Sequence, residues 1–161
     1  MTSALTFAVL APTLYAAHHV GDYWVQTHHQ AQTKGNPLAD GFSGNLACLR
    51  HVATYTVTTA LFVGVVWWLL DLDLTWAGFV AGQLVSAITH YVADRRWPIE
   101  GLADLIDPIT GKADFYELGR PRVDPSGRHN DNPTLGTGAH ALDQSWHIFW
   151  LFIAALLTAL I

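Results

Sequence analysis

Four apolar segments, each about 20 residues long, constrain the fold of this chain more than any other feature of its sequence. A helix of about 20 residues crosses the hydrocarbon core of a bilayer, which is about 30 Å thick. Hydrophobic residues make up 51% of the chain and charged residues only 13%, which favours lipid as the surroundings. The sequence therefore predicts an all-α integral membrane four-helix bundle that forms a single transmembrane domain over residues 1–161. The predicted helices run from about Ala4 to Gln26, Leu46 to Leu70, Leu74 to Arg95 and Ala141 to Ile161.

The connections between these segments predict helices that alternate in direction. Only Asp71-Leu72-Asp73 separates the second segment from the third, so these two are expected to form an antiparallel hairpin. The connection from Thr27 to Asn45 is polar and contains the turn signal Lys34-Gly35-Asn36-Pro37. The first and second helices are therefore also expected to be joined by a loop.

The segment from Trp97 to His140 is rich in Pro, Gly and charged residues, and its prolines are expected to break any long helix. It is predicted to be a long loop between the third and fourth helices. Apolar side chains between Ile106 and Leu118 predict a part that packs over the end of the bundle. The stretch from Pro121 to Pro133 is nearly all polar, Gly or Pro and is expected to be looser.

The distribution of basic residues predicts the orientation in the membrane. All eight Lys and Arg residues lie in or beside the first connection or the long loop. Cytoplasmic loops carry an excess of Lys and Arg, so both connections should face the cytoplasm and both termini should lie outside. Trp67, Trp68 and Trp76 surround the opposite turn, as expected for an outer aromatic belt.

Charge and cysteine content exclude other classes of function. The formal net charge is −5 with only 8 basic residues, which argues against a nucleic-acid partner because phosphate binding needs a basic surface. The single cysteine, Cys48, cannot form an internal disulfide and lies in an apolar context, so it is interpreted as a packing residue.

Ionisable residues recur inside the predicted spans, where they are costly and usually serve chemistry or transport. His18, Asp22 and Gln26 follow one another at intervals of four, His90 and Asp94 repeat the interval, and the fourth segment repeats it in reverse order. The polar residues lie near the C-terminal ends of the first and third segments and the N-terminal ends of the second and fourth. Because the helices alternate in direction, all are predicted to meet in one cytoplasmic layer: His18, Asp22, His51, His90, Asp94, Asp143 and His147.

Four imidazoles and three carboxylates are a suitable ligand set for one or two divalent ions such as Zn, Mn or Fe, and the number of oxygen donors favours two. The alternative for each residue alone is an interfacial side chain that reaches out to water. His19 points about 100° away from its neighbour on a helix and is a weaker candidate. His28, His29, His129 and His140 are assigned to solvent or loops.

The order of these short motifs resembles a bacterial integral-membrane family known as domain of unknown function 3307. The resemblance covers all four segments: a His-x-x-x-Asp-aromatic-x-x-Gln helix at 18–26, His51, a second His-x-x-x-Asp helix at 90–94, and Asp-Gln-x-x-His at 143–147. It implies a protein of the bacterial cytoplasmic membrane. The family also looks similar to inner-membrane metal-dependent hydrolases, which implies hydrolysis by analogy.

The leading hypothesis is a membrane-embedded metal-dependent hydrolase that acts on a lipid-like, amphiphilic substrate at the cytoplasmic interface. Asp22, Asp94 and Asp143 are the candidates for the general base, and the sequence does not choose among them. The alternatives are a pathway for protons or divalent metal ions through the bundle, a non-catalytic accessory subunit, and a haem protein. Asp beside His argues against haem, and apolar outer halves of the helices argue against a pathway.

Overall fold

A computed structural model of the chain describes residues 3–38, 41–119, 122–123, 129–130 and 137–161. Within these residues the chain is helical apart from one short antiparallel pair of strands. The α-helices are α1 (Ser3–His19), α2 (His28–Thr33), α3 (Ser43–Leu70), α4 (Trp76–Asp94), α5 (Trp97–Thr110), α6 (Lys112–Tyr116) and α7 (Gly138–Leu160). A π-helical segment, Val20–Val25, continues α1, and β1 (Arg122–Val123) pairs with β2 (His129–Asn130). The prediction of an all-α fold is confirmed for this part of the chain.

The four long helices pack in a ring in which α1 contacts α3, α3 contacts α4, α4 contacts α7, and α7 contacts α1. Their neighbours alternate in direction, because the C-terminal ends of α1 and α4 meet the N-terminal parts of α3 and α7. At the opposite end the core is apolar and is formed mainly by Leu10, Leu14, Val63, Leu151 and Ala154.

Small residues bring α4 close to α7. A Cβ atom added at Gly78 would lie 2.7 Å from the carbonyl oxygen of Thr158, and one added at Gly82 would collide with the Thr158 hydroxyl group. Gly78 and Gly82 are four residues apart, so both glycines lie on one face of α4. Such small-residue contacts let two helix backbones approach closely.

Within the described residues, two helices are long and apolar enough to span a membrane, α3 and α7. The α-helical part of the first predicted span is only 17 residues long, because the chain changes to π-helix after His19. The 19 residues of α4 include Gln83, Ser86, His90 and Asp94, which lower its apolar character. The prediction of four spans therefore stays a prediction for these two helices.

The π-helical segment packs closely against α3 at Gly21. A Cβ atom at Gly21 would lie 2.8 Å from Cδ2 of the buried Tyr55 ring, so only glycine fits there. The segment closes with the hydrogen bond from Gln26 N to Gly21 O at 3.0 Å, which has the i+5 spacing of a π-helix. The prediction that Gln26 continues one regular helical stripe with His18 and Asp22 is therefore wrong.

The prediction of a loop from Trp97 to His140 is wrong for most of its first half, which contains α5 and α6. Pro98 lies in the first turn of α5, where the backbone has no helical acceptor for an N–H group. Pro108 lies in the last turn, close to the end of the helix at Gly111, which has a positive φ of 62°. The prolines therefore mark the ends of this helix and do not prevent it. His140, also assigned to the loop, belongs to the first turn of α7.

The predicted packing of the segment from Ile106 to Leu118 against the bundle is confirmed at Tyr116 but not at Ile109. Ile99, Ala103 and Tyr116 are buried against α4 and α7, whereas Ile109 is 92% exposed. Gly138 N donates to Leu118 O at 2.6 Å, which fixes the entry to α7. The expected looser stretch from Pro121 to Pro133 lies outside the described residues except for 122–123 and 129–130. The polar connection after the first span contains α2, which Thr27 and Gln30 cap reciprocally.

Candidate metal centre

Five elements supply the seven candidate ligands at one end of the bundle. His18 lies in the last turn of α1, and Asp22 lies in the π-helical segment that follows. The structure brings together all seven predicted residues: His18, Asp22, His51, His90, Asp94, Asp143 and His147. All four imidazoles are at least 97% buried, with exposed fractions of 0% to 3%. His51 lies inside the cluster, with its Nε2 3.3 Å from both Asp22 Oδ1 and Asp94 Oδ2.

Four donor atoms form the most compact part of this cluster. The Nε2 atoms of His51 and His90 lie 2.9 Å apart. Each of these nitrogens lies 3.2–3.3 Å from Asp22 Oδ1 and 3.3 Å from Asp94 Oδ2. These separations are five of the six edges of a tetrahedron, which we call the His51–His90 tetrahedron. The residues come from the π-helical segment, α3 and α4.

The five separations lie in the range expected of atoms that share a divalent metal ion. Tetrahedral Zn²⁺ with ligands at about 2.0–2.1 Å requires ligand atoms about 3.3–3.4 Å apart. Four of the five separations match this requirement, and the 2.9 Å separation of the two nitrogens is shorter by only a few tenths of an ångström. Two carboxylates also balance the charge of a divalent ion.

Hydrogen bonding alone does not account for these four atoms. Asp22 Oδ1 and Asp94 Oδ2 are buried and accept no hydrogen bond within the described part of the chain. If both facing Nε2 atoms carried protons, two donors would oppose each other at 2.9 Å, and if neither did, four acceptors would converge. A single proton would leave one nitrogen lone pair facing two carboxylates. A cation at the centre removes the repulsion in the unprotonated arrangement.

Two further groups of donors adjoin the His51–His90 tetrahedron. His18, His90 and His147 each offer a ligand atom within 4.8 Å of the others, and so do Asp94, Asp143 and His147. His147 Nε2 lies 3.5 Å from Asp143 Oδ1. Both groups share a residue with the tetrahedron, either His90 or Asp94. The cluster as a whole therefore has donors that could hold a metal ion at more than one point.

Neighbouring side chains hold the imidazoles in place. The Tyr55 ring stacks on His90 with centroids 3.7 Å apart, and its hydroxyl lies 3.4 Å from Ser86 Oγ. His18 Nε2 is 3.1 Å from Gln144 Oε1, while His18 Nδ1 is 3.6 Å from Asp22 Oδ2. Such outer contacts fix ring orientation and tautomer in metal sites.

Lys34 also belongs to the site, although the sequence does not predict it there. Its Nζ lies 2.6 Å from Asp94 Oδ1, the carboxylate oxygen that points away from the two histidines. Arg95 donates from Nη1 to Lys34 O and from Nη2 to Asn36 O, both at 2.6 Å, and so anchors the turn that carries the lysine. In the sequence this lysine appears only as a turn residue and a topological charge, and no spacing links it to α4.

A cavity of about 410 Å³ opens beside the cluster. Its wall includes all three candidate carboxylates, Asp22, Asp94 and Asp143, together with Lys34. The Asp143 side chain is 30% exposed, whereas those of Asp22 and Asp94 are 7% and 1% exposed. The remaining wall comes from the π-helical segment, α5, α6 and the first turns of α7. The cluster is thus accessible from one side.

The histidines given less weight lie outside these donor groups. His19 packs between Tyr15 and Tyr23, with ring centroids 4.6 Å and 5.4 Å away. His28 and His29 are exposed on α2. His140 lines the cavity, and its Nε2 lies 3.5 Å from the Tyr23 hydroxyl. The side chain of His129 lies outside the described residues.

Comparison with known proteins returned no significant match to any family model, to any curated protein or to any solved structure.

Proposed function

We propose that this chain is a membrane-embedded, metal-dependent hydrolase that acts on an amphiphilic, lipid-like substrate at the cytoplasmic face of the bacterial inner membrane. The observation that carries the proposal is the buried His51–His90 tetrahedron beside a cavity of about 410 Å³. Two buried carboxylate oxygens that converge on two imidazole nitrogens are expected of a cation site. The resemblance to domain of unknown function 3307 is part of the same proposal.

The membrane setting is supported by large apolar side chains on the outer surface of the helices and by polar side chains buried between them. Exposed positions along the helices carry large apolar residues, including Leu61 and Val65 on α3 and Leu84 and Ile88 on α4, all at least 52% exposed. Beside its apolar core, the interior contains buried His, Asp, Thr and Ser. A lipid environment accounts for the exposed apolar side chains and for the buried polar ones, because polar groups of a membrane protein face the bundle interior. We propose four spans with both termini outside and the basic connections in the cytoplasm.

A divalent ion would supply Lewis acidity and lower the pKa of a water molecule in the cavity. His51, His90, Asp22 and Asp94 would hold it. Zn²⁺ suits two nitrogens and two oxygens at tetrahedral spacing. A Mn or Fe ion, or a second metal ion, would also use His18, Asp143 and His147 as ligands.

Asp143 is the best placed of the three aspartates to act as general base. Asp22 and Asp94 direct an oxygen at the two central histidines, whereas Asp143 lies on the cavity wall with its side chain 30% exposed. A base must reach the proton that it removes, directly or through one water molecule. Gln144 Nε2 donates to Asp143 Oδ2 at 3.2 Å and orients the carboxylate, and His147 Nε2 lies 3.5 Å from Asp143 Oδ1.

Metal analysis and lipid hydrolysis test the proposal together. The wild-type protein is purified in detergent, its metal content is measured by mass spectrometry, and it is assayed on ester, amide and phosphoester lipids with and without chelator. Asp94→Asn is expected to lower metal content about ten-fold or more, as for loss of a ligand. The matched control is Asp104→Asn, at an exposed position of α5. A wild-type protein that binds no divalent metal, or hydrolysis that survives its removal, would refute the proposal.

A pathway for protons or divalent ions is the second candidate, and two buried polar contacts favour it. Thr59 Oγ1 donates to Gln83 Oε1 at 2.8 Å, and Tyr55 meets Ser86, so polar groups extend about two helical turns beyond the histidines. The sequence predicts that the outer halves of the helices are apolar, with fewer buried polar contacts than these. Beyond Thr59 the core is apolar around Val63, Leu10 and Leu151. Proteoliposomes distinguish the two functions: the hydrolase proposal expects tight vesicles, whereas a flux of ions that Asp94→Asn abolishes would favour transport.

A further inference from the structure

A second, apolar depression lies between α5 and α7 and has a volume of about 260 Å³. Its walls are formed mainly by Leu102, Ile106, Leu142, Trp146 and Phe149. Among its lining residues only Lys112 is charged, and Ser145 is the other polar member. We call this depression the α5–α7 groove. Its lining suits an aliphatic ligand, because apolar walls offer no hydrogen bonds to a polar one.

The α5–α7 groove adjoins the cavity of the metal centre. Ile99 lines both spaces, and it is buried with only 6% of its surface exposed. Ala103, one turn further along α5, is 2% exposed and also lines the groove. A ligand that extends past Ile99 can therefore occupy both spaces at once.

The groove continues onto surfaces that carry apolar side chains. On α5, Leu105 is 75% and Ile109 is 92% exposed, and Leu102 and Ile106 lie on the same face. The acidic residues Glu100, Asp104 and Asp107 lie on the opposite side of this helix, as helical spacing requires. A helix with one apolar and one charged face is typical of the membrane interface.

On α7 the rim of the groove leads toward the bilayer core. Phe149 is 55% exposed and lines the groove, and Phe152 is 48% exposed one turn closer to the apolar end of the bundle. Since α7 is long and apolar enough to span a membrane, this side of the helix would meet acyl chains. The groove is thus continuous with the surface that lipid would cover.

We propose that the α5–α7 groove binds one acyl chain of a membrane phospholipid, whose polar portion passes Ile99 into the cavity of the metal centre. The inference rests on the proposed function and narrows its substrate class to lipids that carry a long acyl chain. The lipid enters laterally from the bilayer between α5 and α7.

Photo-crosslinking of the intact protein tests this assignment. The protein is reconstituted in nanodiscs of phosphatidylethanolamine and phosphatidylglycerol that contain a small fraction of phosphatidylglycerol with a diazirine in one acyl chain. After irradiation, peptide mass spectrometry locates the label. We expect labelling of α5 and α7 around Leu102 and Phe149 to exceed, by several-fold, that of Leu84 on the exposed face of α4.

Two tryptophan variants of α7 provide the specific comparison. Ser145→Trp fills the groove from its rim, whereas Ile148→Trp adds the same ring at an exposed position outside its lining. Ser145→Trp should reduce labelling at the groove several-fold, and Ile148→Trp should leave it within about two-fold of the wild type. Equal labelling of groove and α4 face, or equal effects of the two variants, would show ordinary annular lipid and overturn the inference.

Metal content separates this inference from the proposed function. Ser145→Trp leaves every metal-centre residue in place, so its metal content should equal that of the wild type. Retained metal with no preferential labelling would refute the acyl-chain site alone. Absence of metal from the wild-type protein would refute the proposed hydrolase whatever the labelling.

Discussion

Replacing Lys34 with Met removes the ammonium group that lies 2.6 Å from Asp94 Oδ1. The side chains of Lys34 and Asp94 are 13% and 1% exposed, so the variant leaves a carboxylate buried without its basic partner. Breaking a buried ion pair in this way costs about 3–5 kcal/mol, and the partial exposure of Lys34 places the expected loss near the lower limit.

The loss of stability in the Lys34→Met variant should depend on whether a metal ion is bound. Without an ion, Lys34 is the fully basic group in contact with Asp94, and a loss of about 3 kcal/mol corresponds to a melting temperature lower by about 6–12 °C for a chain of this size. With an ion in the His51–His90 tetrahedron, Asp94 keeps a cationic partner. The fall in melting temperature should then be about half as large or less, because the bound ion compensates the charge of Asp94 in the variant as well.

Thermal unfolding in detergent is followed by circular dichroism, once with chelator and once with added Zn²⁺. The two experiments measure the fall in melting temperature without and with metal. Lys34→Arg should restore most of the stability because it retains the charge, and Lys112→Met serves as a matched control at the surface contact with Phe115. An equal fall with and without Zn²⁺ would refute the coupling between Lys34 and the metal. An unchanged melting temperature in chelator would refute the buried ion pair itself.

Three further predictions test other parts of the reasoning. Reporter fusions at Ile161 and near Gly127 should report opposite sides of the membrane, and the same side for both would refute the proposed topology. Gly21→Ala should destabilise the protein by about 1–3 kcal/mol, because the new methyl group overlaps a buried ring. Gly64→Ala is the control, because nothing lies within 4 Å of the added methyl group, and it should be neutral or stabilising in the same melting assay. Asp143→Asn should lower lipid hydrolysis about 10²- to 10⁴-fold with metal content largely retained, whereas parallel loss of metal would make this aspartate a ligand.

The sequence predicted the positions of the long helices and the convergence of their polar residues because both depend on simple periodicity. Apolar runs of about 20 residues mark long helices. The four-residue intervals at His90 and Asp94 and at Asp143 and His147 place each pair on one helix face. Alternating helix direction then brings the pairs to the same end of the bundle.

The elements that the sequence did not predict depend on tertiary contacts or on the position of proline within a helix. The π-helical segment follows from the fit of Gly21 against Tyr55, which no local pattern encodes. The sequence does not reveal helix α5, because prolines such as Pro98 and Pro108 break a helix interior, whereas in this helix each lies in a terminal turn. Lys34 reaches Asp94 across 60 positions of sequence because two arginines hold its turn against α4.

One face of α4 connects the packing of the bundle with the chemistry of the site. Gly78, Gly82, Ser86, His90 and Asp94 recur at every fourth position, and all five are buried. Toward the apolar end of the bundle the two glycines allow α4 to approach α7 closely, with the Gly78 Cβ position 2.7 Å from a backbone oxygen. At the other end the same face carries two donors of the His51–His90 tetrahedron. A change in the distance between the two helices would be expected to shift those donors, because the donors and the glycines lie on one face of the same helix. The glycines therefore influence the position of the candidate metal ligands, although they lie two to four helical turns away from them.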